Sequence, residues 1–570
     1  MLSLENRDVF STLLDAIPLG ANLDLSLPAV IYTETGRDDV IVSRGEFRQA
    51  IVAHAAGLQR LGVGQGDLVV IAHTQSLASI YLFWGAMLAG AIPSMFPTLT
   101  EKLDAKIYMA NMAELARLSD VRAILTTDAF AGVLAGRVPC PVYSSADLHR
   151  SLPNEANSGL GDNFAPHRPD ANEIAFLQHS SGTTGLQKGV ALSHWAVLNQ
   201  IASYSQAIRL NKDDVVVSWL PLYHDMGLIA GFLLPLFQGL PLVLMSPFDW
   251  VSRPSALFRA IDHHRATLCW LPNFAYNHCA RRIRQRDTDG LSAASMRLFI
   301  NCSEPVYDES HRLFLERFAG LGVRPEMLAV SYAMAENTFG VTQTPAGEPA
   351  KLDIIDGRIL EEEGQARPVA ADHRRAVIKV SCGPPITGTA IRVEDEESRP
   401  LGERRVGELA LRSNCMLSEY YRRPDLQPFH EGWYRTGDRG YLSGGEVYIV
   451  GRSKDLIINA GKNIYPQDIE AILNEVPGLY PGRVVVFGIP DQREGTELIA
   501  VVAEVKDPVV LADPALRKVI AKAIRQEVVR QSLVTVSYVK LVGPKWLIKT
   551  SSGKIARGAN REKWITQRGV

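Results

Sequence analysis

The chain has 570 residues, 46% hydrophobic and 21% charged, so it is too long for one ordinary core and too apolar for a disordered segment. Its 60 Lys and Arg against 62 Asp and Glu leave a net charge of -2, which excludes a global basic field for nucleic acid and an acidic tail. Length alone predicts two to four domains.

The N-terminus, MLSLENRDVF, is charged early and does not read as a signal peptide. GEFRQAIVAHAAGLQRLGV (45–63) has apolar residues at helical spacing and stops at Gly62 and Gly64. DLVVIAH (67–73), RAILTT (122–127), DVVVSWL (214–220), PLVLMSP (241–247) and ATLCWLP (266–272) are apolar runs between breakers, as in strands covered on both faces. RPSALFRAIDHHR (253–265) reads as another helix. Strand and helix alternate, which predicts an α/β architecture with parallel sheets. Two uncharged stretches, within 74–100 and 226–248, are interrupted by Pro93, Pro97, Pro235, Gln238, Pro241 and Pro247. They predict buried helix–turn–strand units, not membrane spans.

Residues 344–376 are polar and read as an inserted loop with short helical or strand pieces. Beyond about residue 380, VIKVSCG, TAIRVED, VGELALRS and EVYIVG alternate between turns, which predicts a small antiparallel sheet or barrel over about 380–450. QDIEAILNEV (467–476), RVVVFGIP (483–490), LIAVVAEV (498–505) and LRKVIAKAIRQEVVRQ (516–531) read as a small α+β domain with its own core. The charged stretch Arg452-Ser453-Lys454-Asp455 marks the border, giving parts 1–453 and 454–570. Six scattered cysteines form no C-x-x-C pair, so no zinc knuckle or redox dithiol is expected, and a reducing, cytoplasmic setting is.

HSSGTTGLQKGVALSH (179–194) follows the strand-like EIAFLQ. Ser180, Ser181, Gly182, Thr183, Thr184 and Gly185 precede Lys188. Glycines let backbone N–H groups converge on an anion and hydroxyls add donors, so the segment reads as a nucleotide phosphate loop. Its bland alternative is a Gly/Ser turn between a strand and a helix. It is not a Walker A loop, because Gly189 follows Lys188.

The segment resembles the phosphate-binding loop of the adenylate-forming superfamily: acyl-CoA synthetases, luciferases and nonribosomal-peptide adenylation domains. Further matches follow in order. SYAMAENTF (331–339) is similar to the adenine and magnesium segment. The resemblance implies Ser331, Tyr332, Ala333 and Met334 at the nucleotide, and Glu336 with Thr183 on Mg²⁺, a hard cation suited to oxygen ligands. It also puts Ser303, Glu304 and Pro305 of INCSEPV at ATP or AMP. YRTGDRGYL (434–442) resembles the segment whose aspartate, here Asp438, accepts both ribose hydroxyls. GRSKDLIINAGKNIYPQDIE (451–470) resembles the hinge, with Arg452 near ribose or phosphate and Lys454 as pivot. KTSSGKIAR (549–557) resembles the C-terminal catalytic loop, with Lys554 the catalytic lysine.

In WLPLYHDMGLIAGFLLPLFQG (219–239) the resemblance implies the border of an acyl pocket, with His224 at its mouth or on the substrate carboxylate. Trp219, Asp225, Leu228, Trp270, Phe274 and Met334 would line it for an apolar acid. With WLPNFAYNHCARRI and INCSEPV, this looks like the fatty acyl-AMP ligase branch, which hands acyl-adenylates to acyl carrier proteins. Residues 344–376 occur where that branch carries an insertion thought to restrain the small domain and discourage CoA use. The resemblance therefore implies ATP and Mg²⁺, a hydrophobic carboxylic acid, and a carrier protein or CoA as acceptor. The fold it implies is two parallel-sheet α/β subdomains and a small β-barrel, then a small mobile α+β domain.

Overall fold

The apolar runs form two seven-stranded sheets in the computed structural model, which describes residues 1–6, 9–16, 24–99, 105–152, 167–179, 188–459, 462–491, 496–532, 534–550 and 553–568. One sheet runs Leu328–Ser331, Leu298–Cys302, Leu268–Leu271, Val216–Ser218, Leu242–Met245, Pro28–Thr33 and Val40–Ser43, parallel except for the last. The other runs Glu419–Tyr420, Gly189–Ser193, Ile174–His179, Ile92–Met95, Leu68–Ala72, Ala123–Thr126 and Val142–Tyr143. All five predicted apolar runs are parallel strands in these sheets. Leu68–Ala72 and Leu268–Leu271 are buried at every position, which is why they lack polar alternation.

The helix Arg44–Arg60 starts at a capping box: the Ser43 hydroxyl accepts from Glu46 N–H, and the Glu46 carboxylate accepts from Ser43 N–H. It buries Phe47, Ile51, Ala55 and Leu58, one stripe at helical spacing. The two uncharged stretches hold the helices Leu77–Leu88 and Met226–Gln238 with the strands Ile92–Met95 and Leu242–Met245. No helix among the described residues is long and apolar enough to cross a membrane.

One detail departs from expectation. After the phosphate-loop segment the chain does not enter a helix directly. Gly189–Ser193 first returns antiparallel to Ile174–His179, and the helix His194–Ala207 follows. The alternation in Gly-Val-Ala-Leu-Ser is short, and all but Gly189 are buried, so the return strand is sheet interior.

Thr389–Glu394, Gly407–Ser413, Phe429–His430, Trp433–Ser443 and Glu446–Arg452 form a five-stranded antiparallel sheet. The polar stretch before it is more ordered than a loop: Leu352–Asp356 pairs with Ala376–Val380, and the helix Gly357–Glu363 lies between them. In the last part of the chain, Leu479–Asp491, Thr496–Val505 and Val536–Val542 form a three-stranded sheet. The helices Pro466–Leu473 and Pro514–Ser532 cover it through Ile469, Leu473, Ile524 and Val528, in a core separate from the large one. No disulfide joins the six cysteines, and all but Cys140 are buried.

Candidate active site

A single large cleft gathers residues just past the carboxyl ends of the parallel strands. Trp219–Met226 follow Val216–Ser218, Asn273 and Phe274 follow Leu268–Leu271, Ser303–Tyr307 follow Leu298–Cys302, and Tyr332–Glu336 follow Leu328–Ser331. From the second sheet come His73, Phe96 and Gln178. The final segment closes the cleft with Lys549, Thr550, Gly553, Lys554 and Arg557. Ser180, Ser181, Gly182, Thr183, Thr184 and Gly185 lie outside the described residues.

Asp438 has two partners of its own. Tyr332 donates its hydroxyl to one carboxylate oxygen at 2.6 Å, and Arg452 Nε donates to the other at 3.1 Å. Asp438 and Arg452 face each other across paired strands, so the sheet register sets this pair. Each oxygen keeps further accepting capacity, and Asp438 lines the cleft, where two vicinal hydroxyls could donate.

Glu336 is half-buried, and burial pushes its carboxyl up. Tyr420 donates to it at 3.1 Å. Among the described residues no ammonium or guanidinium forms an ion pair with it, and it lines the cleft as an oxygen donor. That donor set fits a hard divalent ion. Lys188 Nζ lies over the Tyr420 ring, 4.6 Å from its centre.

His224 Nδ1 lies 2.5 Å from Asp225 Oδ1, which also accepts from Met226 N–H at 2.8 Å. Burial would raise the Asp225 carboxyl, but His224, Lys554 and the Met226 N–H outweigh it and hold it below its ordinary value. Glu304 accepts from Phe274 N–H at 2.9 Å. Burial raises its carboxyl, and Lys554 is the largest influence opposing that. Lys554 thus sits within electrostatic reach of both acids, on a tight turn. Thr550 N–H donates to the Lys554 carbonyl at 2.7 Å, and Gly553 takes φ +85° to close the turn.

Ser303 has φ +71°, a left-handed backbone that a serine adopts at a cost, in the loop that presents Glu304 and Pro305. Ser331, Ala333 and Met334 line the same wall. Ser331 is buried and gives its hydroxyl to the Thr342 carbonyl. Lys454 lies exposed in the turn Ser453–Asp455 at the cleft, where burial nearby and then Arg452 hold its ammonium below its usual range.

The expected acyl-pocket residues divide. Trp219 and Phe274 meet edge to face at 6.2 Å, and both line the cleft with Asp225 and Met334. Trp270 and Leu228 do not line it. Trp270 is 1% exposed and gives its indole N–H to Tyr204, and Leu228 is 1% exposed in the large core. Both are apolar residues beside motif positions, which sequence cannot tell from pocket walls.

Other residues went unread. Trp250, fully buried behind the cleft surface, stacks on Trp219 at 3.6 Å and meets Phe274 edge to face at 6.2 Å, bracing both rings. Gln178 is 3% exposed, lines the cleft, and neither amide atom has a partner among the described residues. Arg557 gives its guanidinium to Asp455, Glu470 and the Val486 carbonyl, fixing the turn that carries Lys554 against the hinge. Only its place in KTSSGKIAR could have drawn notice.

Comparison with known proteins places this geometry. The family model described as AMP-binding enzyme matches residues 24–421. The long-chain-fatty-acid–AMP ligase FadD26 of Mycobacterium marinum is 32% identical over 88% of this chain and 87% of its own length. The medium-chain-fatty-acid–[acyl-carrier-protein] ligase JamA of Moorena producens is 29% identical over 98% of this chain and 96% of its own. A structure from a study of fatty acyl-adenylate ligases of E. coli and L. pneumophila superposes with a TM-score of 0.88 at 28% identity, covering 98% of both chains. Another, a fatty acyl-adenylate ligase from L. pneumophila with acyl adenylate and pyrophosphate, gives 0.73 at 28% identity, covering 99% of this chain and 98% of that one. By the extent of the family match and the order of its motifs around one cleft, the chain belongs to the AMP-binding enzymes of the adenylate-forming superfamily.

Proposed function

We propose that the protein activates a hydrophobic carboxylic acid with ATP, forming an acyl-AMP and releasing pyrophosphate, and then passes the acyl group to an acyl carrier protein. In the first step a substrate carboxylate oxygen bonds to the α-phosphorus, and the bond from that phosphorus to the bridging oxygen of pyrophosphate breaks. In the second, an acceptor thiol attacks the acyl carbon and AMP leaves.

Two anions must meet, so the site has to hold positive charge where they join. The observation that supports the reading most is Lys554, which lines the same cleft as Asp225 and Glu304. Its ammonium would bridge the acid and phosphate oxygens. Asp438 would accept the ribose hydroxyls, Arg452 would stand beside them, and the Trp219–Phe274 wall would take the apolar part of the acid. Glu336, with Thr183, would hold Mg²⁺, which when bound neutralises phosphate charge. His224 would meet the acid at the pocket mouth.

The relatives support the branch: FadD26 is a fatty-acid–AMP ligase and JamA an acyl-carrier-protein ligase. The stretch 344–376 supports it too, because its helix leans on the last part of the chain through Glu362 and Lys462 at 3.2 Å, and Lys379 reaches Asp468 at 3.2 Å. The test is pyrophosphate exchange into ATP across a panel of acids, followed by separate offers of carrier protein and CoA. Exchange that depends on a medium- or long-chain acid, with transfer to the carrier protein and little to CoA, is expected. Fast acyl-CoA formation would overturn the acceptor, and exchange with no acid would overturn the activity.

A further inference from the structure

The segment 417–421 lies outside every motif read from the sequence, yet its backbone ties two parts of the site together. Leu417 N–H donates to the Glu336 carbonyl at 2.8 Å. Ser418 N–H donates to the Ala191 carbonyl and Tyr421 N–H to the Gly189 carbonyl, and Tyr420 stands opposite Val190 in the ladder. These partners form the strand that leaves the phosphate-loop segment. One short edge strand therefore fixes that exit relative to Glu336.

Tyr420 repeats the connection with its side chain. It is 6% exposed and lines the cleft. Its hydroxyl donates to Glu336 Oε1 at 3.1 Å and lies 3.0 Å from the Tyr434 hydroxyl. A phenol has one proton, so with Tyr420's on Glu336 the proton of the second bond belongs to Tyr434. The order is Tyr434 to Tyr420 to Glu336, and each bond polarises the next. The ring face carries Lys188, which draws electron density from the phenol and strengthens its donation. A phenylalanine would fill the same space without aiming the carboxylate.

We propose that Tyr420 is a positioning residue for the reaction: its hydroxyl aims the Glu336 carboxylate while its ring seats Lys188, so the acidic ligand and the phosphate-side cation are set by one side chain. This rests on the adenylation reading above.

The test uses the full chain with Tyr420→Phe, Tyr420→Leu and Tyr434→Phe, and reads Mn²⁺ binding by electron paramagnetic resonance with a non-hydrolysable ATP analogue present. Tyr420→Phe should weaken Mn²⁺ binding about tenfold or more, the loss of one hydrogen bond to a charged group. It should leave metal-free binding of the analogue unchanged, since Lys188 keeps its seat. Tyr420→Leu should weaken metal-free analogue binding as well, by about three- to tenfold, the worth of a partly buried cation–ring contact. Tyr434→Phe should weaken Mn²⁺ binding about twofold. Wild-type Mn²⁺ affinity in Tyr420→Phe would overturn the proposal. If that variant does not fold, unchanged affinity in Tyr434→Phe overturns it instead. Absence of Mn²⁺-analogue binding in the unaltered protein would overturn the adenylation reading, and this proposal with it.

Discussion

Asp438 meets Tyr332 and Arg452 and keeps lone pairs for a ligand, so its removal has two consequences. On the proposed reading a ribose loses its acceptor, and Arg452 is left without its carboxylate. Asp438→Ala should raise the KM for ATP by about tenfold or more, one charged hydrogen-bond pair lost. The KM for the acid should change far less, because the Trp219–Phe274 wall is built from other strands. Steady-state kinetics with each substrate varied in turn separates the two. Arg557 makes a complementary case. Lysine has a single nitrogen and cannot reach Asp455, Glu470 and the Val486 carbonyl together. Arg557→Lys should lower kcat by loosening the turn that carries Lys554, with the KM for ATP close to unchanged.

The helix that starts at Met226 illustrates what an element asks of its sequence. Met226–Leu233 is a π-helical stretch followed by a short α-helix with Pro235 in its first turn. A Cβ on Gly227 would lie 2.2 Å from the Pro221 carbonyl oxygen, so only glycine lets the helix lie this close to the turn bearing His224 and Asp225. Gly227→Ala should destabilise the protein by about 1–3 kcal/mol and weaken acid activation, read as a lower Tm and a higher KM for the acid. A wild-type Tm and KM would contradict that packing. The glycine was visible in the sequence, but nothing local distinguished this wide helix from an ordinary one. The continuous apolar runs were legible because burial on both faces leaves a clear signature, as in Leu68–Ala72. Trp270 and Leu228 lie in the core, which sequence does not reveal because an apolar side chain beside a motif reads the same whether it faces the cleft or the core. Trp250 and Tyr420 were missed for the converse reason: their roles come from partners distant in the chain, Trp219 and Glu336.

The inserted helix supplies a pH test at the same scale. Burial first, then Asp468, raises the Glu361 carboxyl from 4.5 to about 7. The folded value is the higher one, so the folded state holds the extra proton. Stability from this group is full below about pH 4.5 and is lost as pH rises through about 7. Glu361→Gln should flatten the fall in Tm between about pH 5 and about pH 8. An unchanged slope would show that Glu361 does not titrate in the interface with the last part of the chain.

At the scale of the whole molecule, the small core around Ile469, Val501 and Ile524 is separate from the large one; polar contacts join the two parts, with one apolar cluster where Leu456 and Tyr465 pack against Leu360, Tyr448 and Val450. Arg281 meets Glu475 at 3.5 Å, and Tyr307 donates to the Gln467 carbonyl at 3.2 Å. That cluster lies beside Lys454, and the ion pairs farther from it are of the kind that can part and re-form. We propose that residues 454–570 turn about Lys454 to admit substrates and acceptor, and that the arrangement seen here is the one in which the acid is adenylated. The motif order is what gives rise to this proposal from sequence. The contacts of the inserted helix with Lys462 could not be read, since they depend on how two parts of the chain meet.

The most direct measurement is acid-dependent exchange of labelled pyrophosphate into ATP by Lys554→Ala, run beside a binding titration with ATP. Delivery of the Lys554 ammonium to the joining point of acid and phosphate predicts exchange reduced about 100- to 1,000-fold, with ATP affinity within about threefold of the unaltered protein. Exchange at the unaltered rate would contradict it.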